Sequence, residues 1–243
     1  WAVAMYQIRL DLFQNLTVNI GRNNAGAIGV QYCTSNSGFI GEVTIVSEDG
    51  RGVCGLALAG VENGPGQVRN VHVKGFDVGF YNVAPYVMSV SHVTIEGPAK
   101  YGVVNAGMLA AENLNITMGG DGPAIKQDGR QFALLGARLR GQGTLAIDGT
   151  DKLYLRDVTA EGFGGVLEDG RPHVTEYISG RTVGLFAKQS SSLCLEIKHT
   201  PILPYETDMN KWANVLDYGA EHVAFGDGPH DSTEAFKKAL ADE

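Results

Sequence analysis

The sequence predicts an all-β solenoid of about seven to eight coils, a parallel β-helix with a short C-terminal helix. Three observations predict it. A short phrase, apolar-x-polar-apolar-x-apolar, returns about every 20 to 28 residues. Such a period marks architectures whose units cannot bury their apolar faces alone and need stacked neighbours. Within the phrase apolar and polar positions alternate and β-branched residues are frequent, as in strands. The 33 glycines suit a chain that turns several tight corners per coil and needs positive φ there.

In chain order the phrase reads FQNLTVNI (13–20), IGEVTIVS (40–47), VRNVHVKG (68–75), VSHVTIEG (90–97), AAENLNIT (110–117), LLGARLRG (134–141) and YLRDVTAE (154–161), with a looser eighth copy, VTEYISG (174–180). The first core residues after the polar position are Leu16, Val43, Val71, Val93, Leu114, Ala137, Val158 and Ile178. Leucine-rich repeats share this spacing, but they need a repeated leucine pattern and a helix per unit, and neither is visible. The polar residue just before the core residue is Asn15, Glu42, Asn70, His92, Asn113, Gly136 or Asp157. Stacking sets these side chains one above another, where amides bond along the stack and to turn backbone, a structural duty. His92 belongs to this column and is read as structural rather than catalytic.

At 243 residues and 44% hydrophobic content the chain has ample material for a continuous core. A net charge of −8 argues against nucleic acid or an anionic membrane as partner, since both are bound through clustered Lys and Arg. No apolar run is long enough to span a bilayer. Cys33, Cys54 and Cys194 show no metal-ligand spacing and read as buried thiols.

The amino end lacks a capping element before the first coil and reads as cut. After a linker at 201–212, residues 213–243 read as the start of another domain, with a helix that Asp231 or Ser232 caps and that turns Ala235, Phe236, Ala239 and Leu240 to one side. Here VLDYGA, then GDG, then DSTEAFKKAL resembles the opening of the pectate-lyase-3-like, glycoside-hydrolase-28-related β-helix domains, where a strand, a Gly-Ala turn and a helix precede the first coil. NLTVNIGRNNAGAIGV (15–30), GLALAG (55–60) and LEIKHTP (195–201) look like later coils and the exit linker of a preceding domain of the same kind. The tandem arrangement is similar to family-55 β-1,3-glucanases. The resemblance implies a right-handed helix over residues 1–200, a polysaccharide or oligosaccharide partner, and an extracellular or periplasmic place of action.

Counting 11 to 13 residues onward from the first core residue of each phrase gives a polar column of Asn82, Asn105, Gln127, Asp148 and Asp169. Asp148 and Asp169, one coil apart, are the candidate acid and base for a glycosidic bond, because close like charges separate two carboxyl pKa values. Glu176 is the alternate acid. Asn82, Asn105, Gln127, Arg130, Glu168, Arg171, His173 and Tyr177 are candidate sugar contacts. Each aspartate also precedes a glycine, as in ordinary tight turns, so a structural duty stands beside the catalytic one. Glu48, Asp49, Arg51 and Asp77 form a second constellation that suits Ca²⁺ and a lyase with a basic catalyst; otherwise no metal or cofactor is expected.

The leading expectation is a glycoside hydrolase acting on a glucan or pectin-like polymer. A non-catalytic carbohydrate-binding or scaffold module and a calcium-dependent lyase are the alternatives. Exposed solenoid ends add self-association as a further expectation.

Overall fold

The computed structural model describes residues 3–5, 12–180, 195–199, 201–202, 206, 208–221 and 231–242. Two compact units emerge, residues 1–200 and 201–243. Cys194 and the GDG motif at 226–228 lie outside the described residues.

Among the described residues of the first unit there are fifteen strands: β1 (Val3–Met5), β2 (Leu12–Asn19), β3 (Ile28–Tyr32), β4 (Ser35–Val46), β5 (Cys54–Leu58), β6 (Gly64–Lys74), β7 (Val78–Asn82), β8 (Met88–Glu96), β9 (Tyr101–Asn105), β10 (Leu109–Thr117), β11 (Ile125–Gln127), β12 (Phe132–Arg140), β13 (Ile147–Asp148), β14 (Leu153–Glu161) and β15 (His173–Ile178). The odd-numbered strands from β1 to β13 stack as one seven-stranded parallel sheet, and the even-numbered strands with β15 make an eight-stranded one. The chain alternates between the two sheets, so each coil adds one strand to each, and the result is a parallel β-solenoid of about six turns.

The seven phrases from FQNLTVNI to YLRDVTAE fall on β2, β4, β6, β8, β10, β12 and β14, in parallel register, with Leu16, Val43, Val71, Val93, Leu114, Ala137 and Val158 one above another. The eighth copy departs from this. It is β15, which pairs antiparallel to β14, with Tyr154 opposite Ile178 and Val158 opposite Val174. Ile178 is exposed rather than part of the core. The turn through Gly170 sends the chain back along β14, so VTEYISG closes the ladder instead of adding a coil.

The polar column has a backbone cause. Asn15, Glu42, Asn70, His92, Asn113, Gly136 and Asp157 all lie at φ between 48° and 68°, the left-handed region that Gly, Asn and Asp enter most readily. Each is skipped by the ladder: Ser91 pairs with Glu112 and Val93 with Leu114, while His92 and Asn113 stand outside the register. One extra residue resets the alternation, as a bulge does, so Val90 and Val93 both face the core although three positions apart. The long strands are thus two arms each, and the coil has three faces: the odd-strand sheet, the first arm and the second arm.

Where the odd-strand sheet meets the second arm, Gly29, Gly55, Gly79 and Gly102 stack at one position. A Cβ there would come within 2.2 to 2.5 Å of Ile45, Val73, Ile95 and Ile116 respectively. The close approach of the two sheets requires glycine.

In the second unit α1 spans Thr233–Ala241. Asp231 supplies its N-terminal side-chain bond, Oδ1 accepting from the Thr233 amide at 2.9 Å. Ala235 and Ala239 are buried, whereas Phe236 and Leu240 are exposed, so the covered side is narrower than the expected four-residue face. VLDY is a 3₁₀ turn, Val215–Tyr218, ended by Gly219 in the left-handed conformation, not the strand that the resemblance implied.

Candidate functional site

The outer surface of the first arm carries two columns. Gln67, Ser89, Ala110, Ala133 and Tyr154 follow one another on β6, β8, β10, β12 and β14, and beside them run Arg69, Ser91, Glu112, Leu135 and Arg156. Alternation turns these outward because Val68, Val90, Ala111, Leu134 and Leu155 between them face the core. Small side chains on β8, β10 and β12 leave a depression of about 350 Å³. It shares Gln67 and Ser89 with one of about 300 Å³ reaching Phe39 and Pro65. On the other side it shares Ala110 and Ala133 with one of about 410 Å³ reaching Ile178. The three form one shallow groove along the stack. From β4 to β14 it spans six rungs, five steps or about 24 Å at the ordinary strand spacing.

Among the described lining residues Glu112 is the one carboxylate in the groove. Its Oε2 lies 3.6 Å from His199 Nδ1. Beside the groove end Tyr154 donates to Glu176 Oε1 at 2.7 Å, and burial together with that bond pushes the phenol pKa up.

The predicted site residues fall into separate places. Asn82, Asn105 and Gln127 are buried and form an interior amide ladder, Asn82 Nδ2 donating to Asn105 Oδ1 at 2.7 Å and Asn105 Nδ2 to Gln127 Oε1 at 2.8 Å. They hold the fold together from within and present nothing to a sugar. Asp148 is not in that column: it pairs with Lys126 on the outer face, and Gly149 stacks over Gln127, where a Cβ would come within 2.2 Å of the Gln127 carbonyl oxygen.

Asp148 and Asp169 are not rung partners either. Ile125 N donates to Ala146 O and Ile147 N to Val166 O, both at 3.0 Å. The first bond accompanies the pairing of Ile125 with Ile147, so the same offset sets Ile147 beside Leu167; there Gly170 N donates to Leu167 O at 3.0 Å, and Glu168 and Asp169 lie in the turn beyond the ladder. The coil from β12 to β14 is one residue shorter in this stretch than equal offsets assume. Asp169 instead accepts from Arg171 Nη2 at 2.6 Å and Nε at 2.8 Å, and the guanidinium holds its carboxyl below the usual value. That favours a carboxylate and disfavours a general acid.

Arg130 donates to the Pro85 carbonyl at 3.0 Å. His173 Nε2 lies 2.9 Å from Asp157 Oδ1 across the β14–β15 pair, and Tyr177 packs partly buried against the core. The expected calcium constellation is dispersed among other partners. Glu48 accepts from Asn19 at 2.9 Å and Arg22 at 3.2 Å. Asp49 accepts from the amides of Asn23 and Arg51 and from Ser47 Oγ, and the first of these is the largest cause of its lowered pKa. Asp77 pairs with Lys100 at 2.8 Å.

No family model, no curated protein and no solved structure matches this chain. The architecture of residues 12–180 as a parallel β-solenoid is therefore what is established. A long groove along one face was an expectation of the solenoid fold, but its position was not legible because its floor is small residues, Ser and Ala, which carry no chemical signal of their own. A usable sign was the small residue three positions before the corner in three successive phrases, Ser89, Ala110 and Ala133.

Proposed function

We propose that this solenoid binds an extended polysaccharide along the first-arm groove. The observation that carries the reading is the groove itself, continuous over six rungs and floored by Ser89, Ser91, Ala110 and Ala133. A linear polymer with a repeat close to the rung spacing meets an equivalent surface at each step. Gln67, Arg69, Glu112 and Tyr154 supply hydroxyl partners at its margins, and their charges are mixed, as suits a neutral or weakly charged chain. Glycosidic cleavage by the usual route needs two carboxyl groups flanking one bond, and the groove lining offers Glu112 alone among the described residues. Binding without turnover is therefore the favoured reading.

The test is affinity electrophoresis against β-1,3-glucan, polygalacturonate, rhamnogalacturonan and xylan. Retardation by one polymer, lost in Ala110→Trp and kept in Thr94→Trp on the second arm, supports the reading. Absence of retardation by all four, or equal loss in both variants, sinks it.

One observation favours a second reading, hydrolysis. Asp148 lies at the end of β13 and Glu168 in the turn of the next coil that follows the bond from Ile147 N to Val166 O, so two exposed carboxyl groups stand on neighbouring coils. Release of reducing ends that disappears in Asp148→Asn and Glu168→Gln would establish it. Chelator-sensitive turnover giving an ultraviolet-absorbing product would instead establish the lyase.

A further inference from the structure

Residues 195–199 lie against the same face. Arg156 Nη2 on β14 donates to the Leu195 carbonyl oxygen, and four residues later His199 Nδ1 lies 3.6 Å from Glu112 on β10. Between those anchors, on β12, stands Leu135, which pairs with Glu112 on one side and Arg156 on the other. The segment thus runs down the stack, parallel to the groove, past the column of Glu112, Leu135 and Arg156.

An independent observation shows that the solenoid is shaped for it. Of the seven left-handed corner positions, six carry side chains and one, Gly136, does not. A Cβ on Gly136 would come within 2.7 Å of His199 Cε1 and 3.0 Å of Nε2. The imidazole occupies the space that a corner side chain fills on the other rungs. Backbone conformation alone does not call for glycine here, since Asn15, Asn70 and Asn113 hold the same φ range.

We propose that residues 195–199 are a movable strap, seated by His199 over Gly136 and by Arg156 at Leu195, that screens the outer column of the groove on β10, β12 and β14. In its function as a gate for polymer the proposal rests on the binding reading above. With the strap seated, the groove stays open over Arg69, Ser91 and the near edge of Leu135 and is bounded where His199 meets Glu112 and Leu195 meets Arg156; with it released, the column is open across Leu135 to Arg156. The strap is an autoinhibitory contact that limits how many rungs a polymer engages.

The releasing variant is Gly136→Asn. Asparagine is accepted at three other corners, so the rung is kept while its side chain displaces the His199 ring. His199→Ala, which changes nothing in the solenoid, is the second variant. Two readouts need no ligand: tryptic cleavage after Lys198, mapped by mass spectrometry, and the labelling rate of a thiol introduced by Leu135→Cys. Both rates should rise about tenfold in each variant, with the melting temperature kept. Unchanged rates in both variants overturn the strap. The gating arm compares a long polymer with a short oligomer of the same sugar. Several-fold tighter binding of the long chain alone supports the gate. Faster cleavage and labelling with unaltered affinity for a polymer that does bind would make the segment a brace, and would overturn gating. Raised rates with no polysaccharide bound by any form leave the strap standing and remove the polysaccharide reading.

Discussion

Asn82 and Asn105 stand one rung apart inside the solenoid, both with no exposed surface, joined by an amide bond of 2.7 Å. Asn105 passes the ladder on to Gln127, and Asn82 Oδ1 is in turn used by the Ala84 amide at 3.1 Å. Replacing Asn105 with leucine, close in volume, removes an acceptor from Asn82 and a donor from Gln127 at once. Each orphaned buried group costs about 1–3 kcal/mol. Asn105→Leu should therefore destabilise by about 3 kcal/mol, read as a lower denaturant midpoint at an unchanged slope. Survival of the midpoint would mean that the two neighbours find other partners.

The left-handed corners predict a different ordering of substitutions. At Asn113, φ is 52°, and an L-residue other than Asn, Asp or Gly loses about 1–2 kcal/mol in that region. Asn113→Gly should stay within a few tenths of wild type, and Asn113→Ala should lose about 1 kcal/mol. Equal effects would show that the side-chain bond from Asn115 to Asn113 at 3.4 Å, rather than backbone conformation, decides the position.

These two columns mark what the sequence makes legible. The corner column was readable because the left-handed conformation restricts residue type, so the restriction repeats with the coil. The parallel ladder was readable for the same reason, through Leu16, Val43, Val71 and their successors. The interior ladder was found but placed outside, because buried and exposed amides look alike until the register is known. Asp148 shows how sensitive that register is: one residue of coil length moves it from the Gln127 column to the Lys126 column, and the turn that closes on Leu167 takes Asp169 out of the ladder. The antiparallel run of β15 was illegible, since VTEYISG carries the same alternation in either direction.

The glycine column tests packing. A methyl at Gly79 would meet Ile95 Cγ2 at 2.3 Å and the Gly102 carbonyl oxygen at 2.8 Å. Overpacking of this kind costs about 1–3 kcal/mol. Gly79→Ala should fall in that range, and the double variant with Ile95→Val should recover little, because valine keeps a branch at Cβ and the carbonyl remains. With Ile95→Ala the coupling should be favourable by about 1 kcal/mol in a double-mutant cycle. Strict additivity would show that the clash is with the backbone alone.

Cys54 gives a probe of opening. Burial pushes its thiol pKa up to about 12, so at pH 8 almost none is thiolate, and the thiolate is the reacting form. Cys33 is also buried. Mass-mapped labelling of both should proceed at the rate at which the coils open and should accelerate together across the unfolding transition. Rapid labelling of Cys54 in the native state would mean that the β5 rung opens locally.

Asp169 and Arg171 decide whether the acid that the sequence suggests survives. The Arg171 side chain, more than any other cause, lowers the Asp169 pKa from its ordinary 3.8. Because the folded value lies below the unfolded one, the contribution of this pair to stability is complete above the ordinary carboxylate value. It is lost as pH falls through the lowered folded value. Arg171→Ala should return the Asp169 titration, followed by NMR at the carboxyl carbon, toward 3.8, and should weaken the dependence of stability on pH on the acid side. Both side chains are solvent-exposed and screened, so the change near neutral pH should be small. A native titration midpoint above the ordinary value would reverse the assignment and restore Asp169 as a proton donor; one below it leaves the ion pair as the reason that the residue caps its turn.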